Sequence, residues 1–142
     1  MSIFHLLTDR FSKLPVRDEE PLTHYIFVDE HINKTTHKAK HQLFKPRKNK
    51  GNDLSTFRII NCVESYIWYL SKRYVEPFSK KKTIARADFP LAAAKKAQLK
   101  INPDGNPHKR HLNLENWPTD SSACKLISME IANASNLILK NE

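Results

Sequence analysis

Glycine is scarce in this chain of 142 residues, which contains only Gly51 and Gly105. A phosphate-binding loop of the G-x-x-x-x-G-K-[ST] type and a dinucleotide-binding G-x-G-x-x-G turn both need glycines at short, fixed spacings. Two glycines so far apart form neither motif. The scarcity therefore excludes the two common glycine-dependent classes of nucleotide-binding protein.

Cysteine and long apolar runs are also rare. Cys62 and Cys124 stand alone, outside any C-x-x-C motif, so we expect free thiols in a cytoplasmic protein. No apolar run approaches the roughly 18 residues of a membrane span, and the first ten residues lack the basic start of a signal peptide. We expect no membrane contact. The cysteines and histidines lack the close pairing of a zinc site, so we expect no metal and no cofactor.

Length and composition predict a single domain over residues 1–142, because 39% apolar and 27% charged residues are typical of a globular protein. The pattern favours an α+β fold, a compact domain in which about three to four helices pack on a small, mostly antiparallel sheet. Strands are predicted over 22–28, 54–60, 83–89 and 110–114, and helices over 61–76, 90–98 and 119–138.

Local signals refine these helices. Asn61 and Asp88 are predicted to cap the first two, and Thr119, Asp120 or Ser121 the last. The first helix is expected to bury the stripe Val63, Ile67, Leu70 and Tyr74, and the last helix to extend its apolar stripe to Ile138. A short amphipathic helix is predicted over residues 3–14, where it could contact a protein partner.

Positive charge is concentrated in the middle of the chain. The whole sequence carries 24 Lys and Arg against 15 Asp and Glu, and residues 31–110 hold 19 of the basic residues but only 5 of the acidic ones. The segment over about 31–52 contains no acidic residue before Asp53 and is predicted to be a long basic loop. Such a block repels itself unless an anion offsets it. Nucleic acid is the commonest such partner, and a solvated surface loop is the alternative.

Aromatic residues among these basic clusters suggest stacking on unpaired bases. Phe44 and Trp68 are the candidates, whereas Trp117 is expected to pack in the core. The predicted nucleic-acid-binding surface comprises Lys38, Lys40, Phe44, Lys45, Arg47, Lys48, Lys50, Lys80, Lys81, Lys82, Arg86, Lys109, Arg110 and His111.

Arg58 and Arg86 interrupt predicted strands, and their forked guanidinium groups suit a carboxylate or a phosphate. An internal ion pair is the favoured interpretation, with Glu64 and Asp88 as partners. The alternative is a metal-independent phosphodiester- or nucleotide-processing enzyme in which His111 transfers protons and Arg58 and Arg86 stabilise negative charge.

The favoured function is therefore a small basic protein that binds DNA or RNA mainly through the phosphate backbone. An adaptor or inhibitor that binds an acidic protein surface within a larger complex is a second hypothesis. The enzyme is a third and less favoured one, because no motif specifies a reaction.

Overall fold

The fold was described on a computed structural model, over residues 15–48 and 51–141. Its α+β character is confirmed, with eight strands and four helices in this part of the chain. The predicted helix over 3–14 and Lys50 lie outside the described residues. The strands are β1 (Pro21–Ile26), β2 (Ile32–Asn33), β3 (Lys38–Ala39), β4 (Leu54–Arg58), β5 (Ala85–Pro90), β6 (Lys100–Asn102), β7 (His111–Glu115) and β8 (Asn136–Leu139). The helices are α1 (Glu64–Tyr74), α2 (Glu76–Ser79), α3 (Leu91–Lys96) and α4 (Ser121–Ala134), with 3-10 turns at Asp29–His31 and His41–Phe44.

Six of the strands form one antiparallel sheet in the order β6-β7-β4-β1-β5-β8. The predicted antiparallel arrangement is therefore confirmed. β1 and β4 are central, and β1 pairs with β5 along its whole length, from Pro21 opposite Pro90 to Ile26 opposite Ala85. Within the predicted basic loop, β2 and β3 form a small hairpin.

Strand alternation divides the side chains of the sheet between two faces. One face, called the core face, carries the main apolar cluster, which α3, α4 and the His41–Phe44 turn cover. Its largest fully buried apolar side chains are Phe44, Phe89, Leu22, Ile26, Leu54, Leu91, Leu112 and Leu114.

The opposite face, called the α1 face, carries a smaller aromatic cluster. Tyr25 and Phe57 from the sheet pack there against Tyr66, Ile67 and Leu70 of α1. Tyr66 was absent from the predicted buried stripe, yet it is fully buried. The buried face of α1 is therefore wider than the predicted stripe, because aromatic side chains also fill the gap between the helix and the sheet.

Three predicted helix boundaries are wrong. α1 begins after Val63, and Asn61 adopts a left-handed turn at φ 58° instead of capping the helix. Asp88 lies within β5 and forms an ion pair, so Pro90 precedes α3. α4 ends at Ala134, and Ile138 belongs to β8, where it pairs with Arg86. By contrast, the carboxylate of Asp120 caps α4 as predicted, accepting from the Ala123 N–H at 3.0 Å.

A buried ion pair lies at the start of the sheet. Arg58 donates from Nε to Glu20 Oε1 at 2.6 Å and from Nη2 to Oε2 at 3.0 Å, and both side chains are almost inaccessible. The Arg17 N–H also donates to this carboxylate. The favoured ion-pair interpretation of Arg58 is thus confirmed, although Glu20 is the partner instead of Glu64 or Asp88.

Removing one charge from this pair tests how much the fold depends on it. Glu20→Gln should lower the free energy of unfolding by about 3–5 kcal/mol, because it removes the carboxylate charge that faces the buried guanidinium of Arg58. Asp18→Asn is the matched control, since Asp18 pairs with Lys95 on the surface. We expect it to cost at most about 1 kcal/mol. Urea denaturation measures both, and equal losses would contradict a special role for the buried pair.

Candidate functional site

A cleft opens where β1 and β4 diverge. These neighbouring strands are paired at only two positions, Leu22 opposite Arg58 and Thr23 opposite Phe57. Beyond them β1 follows β5, whereas β4 follows β7. A cavity of about 700 Å³ lies in the gap. The His24 Nδ1–H bridges the gap by donating to the Ser55 carbonyl at 2.7 Å.

Cations from two distant parts of the sequence line this cleft. Lys45 and Arg47 come from the central basic segment, and Lys81 comes from the Lys80–Lys82 run. These three residues are called the basic rim below. Asp53 is the one acidic residue among the described residues that line the cleft. The fold therefore joins two of the three predicted basic clusters at one cavity.

Lys45, the first residue of the basic rim, directly follows a buried aromatic residue, Phe44. Phe44 is fully buried, edge-on to Phe89 with ring centroids 5.6 Å apart. Its carbonyl accepts from the Ser128 hydroxyl of α4 at 3.0 Å. Lys45 follows at once and is exposed. Phe44 is thus unavailable for base stacking, and that prediction is wrong, but its burial fixes the backbone from which the lysine projects.

A second constraint fixes Arg47. Its N–H donates to the Asp53 carbonyl at 3.1 Å, and its carbonyl accepts from the Asn52 N–H at 3.0 Å. Arg47 and Asp53 thus form an isolated antiparallel bridge at the start of β4. The side chain of Arg47 is exposed. These backbone bonds therefore hold a cation beside the cleft without burying its charge.

The Lys80–Lys82 run is carried by a loop that is tied at its base. The Glu76 carboxylate accepts from the Thr83 N–H at 3.0 Å and from its hydroxyl at 2.9 Å. Burial alone would raise the pKa of Glu76, but these bonds from Thr83 lower it below its ordinary value. Lys80 ends α2 in the left-handed region, with φ 59°. Phe78 of α2 lines the cleft, and 75% of its surface is exposed.

Burial and the positive charges of the rim lower the pKa values of the two histidines that line the cleft. Burial lowers the pKa of His31, and the charges of Arg47, Lys81 and Lys40 lower it further against the opposing effect of Glu30. Burial lowers the pKa of His24 to about 4, with a smaller contribution from Arg47, although the bond to the Ser55 carbonyl acts the other way. Both imidazoles are therefore mainly neutral at pH 7, and the net positive charge of the cleft comes from lysine and arginine.

A second depression of about 390 Å³ adjoins the cleft. It is lined by residues of the central basic segment and by the first turns of α4. Lys45 lines both cavities, and the second adds Lys48 and Lys125. The cationic surface therefore continues from the basic rim toward α4.

Arg86 does not belong to this surface. It is buried, donates from both terminal nitrogens to Glu64 at 2.8 Å, and donates from Nε to Asp88. Trp68 lies over the guanidinium, 4.7 Å from ring centroid to Cζ. The predicted partners are confirmed. A phosphate contact by Arg86, or base stacking on Trp68, would first require this packed group to open.

The third basic cluster is also mostly structural. Arg110 is fully buried and donates to the carbonyls of Arg58 and Ile60. His111 is buried against Phe57 and its Nδ1–H donates to Asp104 at 2.6 Å. Their burial contradicts the expectation that they form an accessible phosphate-binding surface. The prediction was wrong because a run of basic residues has the same sequence pattern whether its side chains are exposed or buried.

The residues of the enzyme hypothesis do not converge. His111 is opposite Phe57, so strand alternation places it on the α1 face and Arg58 on the core face. Arg86 shares the face of His111 but lies three strands away, roughly 14 Å at the usual strand spacing. The Asp104 carboxylate orients His111, but Arg58 is on the other face of the sheet and Arg86 is three strands away, so the three side chains do not face one site.

Two of the lysines predicted to bind nucleic acid, Lys38 and Lys109, do not line the cleft. Lys38 Nζ donates to the carbonyls of Asn133 and Ser135, so it caps the end of α4. Lys109 is exposed but adjoins the Arg58 end of β4, roughly 13 Å along the strand from the cleft end. Lys40, Lys80 and Lys82 are exposed near the cleft segments, and Lys50 lies outside the described residues.

Phe78 and His24 line the cleft but were not predicted as site residues. Phe78 stands two positions before the Lys80–Lys82 run, which is the pattern of an aromatic residue within a basic cluster. His24 lies inside a predicted strand and gave no comparable signal. Its place in the site depends on the divergence of two strands.

Comparison with protein-family models, curated proteins and solved structures finds no match to this chain. Any function must therefore be argued from the site itself. Within residues 15–48 and 51–141, no three His, Cys, Asp or Glu side chains are grouped so as to hold a metal ion. None of the helices described has the length and apolar character needed to cross a bilayer.

The low pKa of His24 predicts a pH dependence of stability. The unfolded chain takes up this proton near pH 6.5, but the folded cleft does so only near pH 4. Protonation thus favours unfolding, and stability should fall as the pH drops from about 6.5 to 4, by at most about 1.4 kcal/mol per pH unit. His24→Asn keeps a side-chain donor for the Ser55 carbonyl but does not titrate. Urea denaturation at pH 7 and pH 5 should show a smaller loss in the variant, and an equal loss would contradict this assignment.

Proposed function

We propose that this protein binds nucleic acid through the phosphate backbone, at the basic rim of the cleft between β1 and β4. The observation that carries the proposal is the convergence of Lys45, Arg47 and Lys81 on one cavity, although β4, α1 and α2 lie between Arg47 and Lys81 in the sequence. Lys48 and Lys125 extend the same surface.

The pairing of the basic residues supports an external anion. Arg58 and Arg86, which lie inside the protein, are both matched by carboxylates. Within residues 15–48 and 51–141, the basic rim forms no such ion pair. Like charges held together without an internal counter-charge raise the free energy of the folded state, and a polyanion offsets this cost while releasing its own counterions.

The alternatives receive less support from the same geometry. The phosphodiester-processing enzyme predicted from the sequence combines His111 with Arg58 and Arg86, but Arg58 lies on the opposite face of the sheet and Arg86 lies three strands away. An acidic protein surface would satisfy the basic rim equally well in charge. It would not account for a cavity that combines cations with an exposed aromatic ring, which is the combination found in proteins that hold single strands.

Charge removal at the basic rim tests the proposal. Arg47→Ala/Lys81→Ala should weaken binding to labelled DNA or RNA, measured by fluorescence anisotropy at several salt concentrations. If each residue contacts one phosphate, the slope of log K against log salt should become shallower by about 1.4 to 1.8. Both side chains are exposed, so the melting temperature should stay close to that of the wild type.

Lys96→Ala/Lys109→Ala is the matched control, because it removes the same charge from exposed positions away from the cleft. α3 follows the Pro90 end of β5, opposite the start of β1, and Lys109 adjoins Arg58. The control should keep the wild-type salt slope. Equal effects of the two double variants would mean that binding follows net charge alone. Absence of binding to every nucleic acid at low salt would reject the function.

A further inference from the structure

Phe78 is the most exposed large apolar side chain of the described residues, at 75%. The other exposed ones, Leu126, Met129 and Leu139, belong to α4 and β8, and none of them lines the cleft. Phe78 differs from them in its surroundings, because the cleft that it lines also contains Lys81 and Arg47. Proteins that bind single-stranded nucleic acid combine aromatic rings with cations in this way: bases stack on the ring, and phosphates contact the cations.

We propose that the ligand is a single strand, and that one unpaired base stacks on Phe78 while the adjacent phosphates contact Arg47 and Lys81. This inference rests on the function proposed above and specifies its substrate class. The cavity of about 700 Å³ lies within the range of sites that enclose small organic molecules, so it has room for a nucleobase.

The geometry disfavours a duplex at this position. In a double helix the faces of the bases are covered by their neighbours, and only base edges and the backbone are accessible. Phe78 would then have no aromatic face to contact. A single strand can turn one base away from its neighbours and present that face to the ring.

The cleft also supplies groups that can bond to a base edge. Gln42 is exposed, lines the cavity and offers both an amide donor and an amide acceptor. His24 uses Nδ1–H for the Ser55 carbonyl, so Nε2 is the acceptor of its neutral ring. His24 lies on β1 and Gln42 in the His41–Phe44 turn, both of which border the cleft, and Phe78 lies on α2.

The segment Glu76–Thr83, which carries Phe78 on α2, is held in place by hydrogen bonds. Thr83 donates to the Glu76 carboxylate, and the Ser79 hydroxyl lies within hydrogen-bond distance of the carbonyls of Glu76 and Lys81, either of which can accept its proton. A ring held on such a fixed segment loses little conformational freedom when a base stacks on it. Phe78 therefore has the accessibility and the support of a stacking platform.

Substitution at Phe78 tests the inference with single-stranded DNA, single-stranded RNA and a DNA duplex as labelled probes. Phe78→Ala should weaken binding to a single strand by about 5- to 150-fold, the range for loss of one stacked base. Duplex binding should not change. Phe78→Trp should retain single-strand affinity because it keeps an aromatic face, whereas Phe78→Leu should lose it. Leu126→Ala, at an exposed apolar position on α4, is the control and should leave every affinity unchanged.

The outcomes separate this inference from the proposed function. Wild-type binding that is equally tight for single strands and duplex, or that survives Phe78→Ala, would reject the stacked base while the phosphate-binding function stands. Full affinity in Phe78→Leu would show that the position contributes apolar area without stacking, and would also reject it. No binding by the wild type to any probe would reject both. A preference between the DNA and RNA strands would identify the sugar, with the stacked base confirmed by the Phe78 series.

Discussion

The unequal pairing of β1 with its two neighbours is the constraint on which the site depends. β1 bonds to β5 over six residues but meets β4 at only two positions, so the sheet is continuous at one end and open at the other. The continuous end is stabilised by the buried pair of Arg58 and Glu20. The open end is spanned by the bond from His24 to the Ser55 carbonyl, which leaves a cavity instead of a collapsed core.

The protein uses its basic residues in two distinct ways, according to what surrounds them. Arg58, Arg86 and Arg110 are buried and bonded to carboxylates or carbonyls, where a planar fork with several donors fits best. Lysines, together with Arg47, remain at the surface. Buried Phe44 fixes the backbone beside Lys45, a backbone bridge to Asp53 fixes Arg47, and the bonds from Thr83 to Glu76 fix the segment that carries Lys81. The basic residues of the chain thus divide into an internal, hydrogen-bonded set and an external cationic surface.

Much of the fold could be predicted from the sequence, because strands and helices follow local pattern and residue type. The four main strands, the Asp120 cap and the pairing of Arg86 with Glu64 and Asp88 were all within reach of that reasoning. The site was only partly predictable. Lys45, Arg47 and Lys81 were named from charge, but the cleft between them arises from strand pairing, which no local pattern reveals. Phe44, which was predicted to stack, is buried, and Phe78, which was not predicted as a site residue, is exposed, since only the packed fold decides which aromatic side chain is buried.

The central claim is that ligand binding takes place in the cleft, and chemical shift mapping by NMR tests it most directly. A labelled protein titrated with a single-stranded oligonucleotide should show its largest amide shifts at His24, His31, Arg47 and Phe78. Amides near Lys96 and Lys109 should change little, because these residues lie at the other end of the sheet. Perturbations centred on Lys109 and Arg110, or spread evenly over all exposed lysines, would contradict the account.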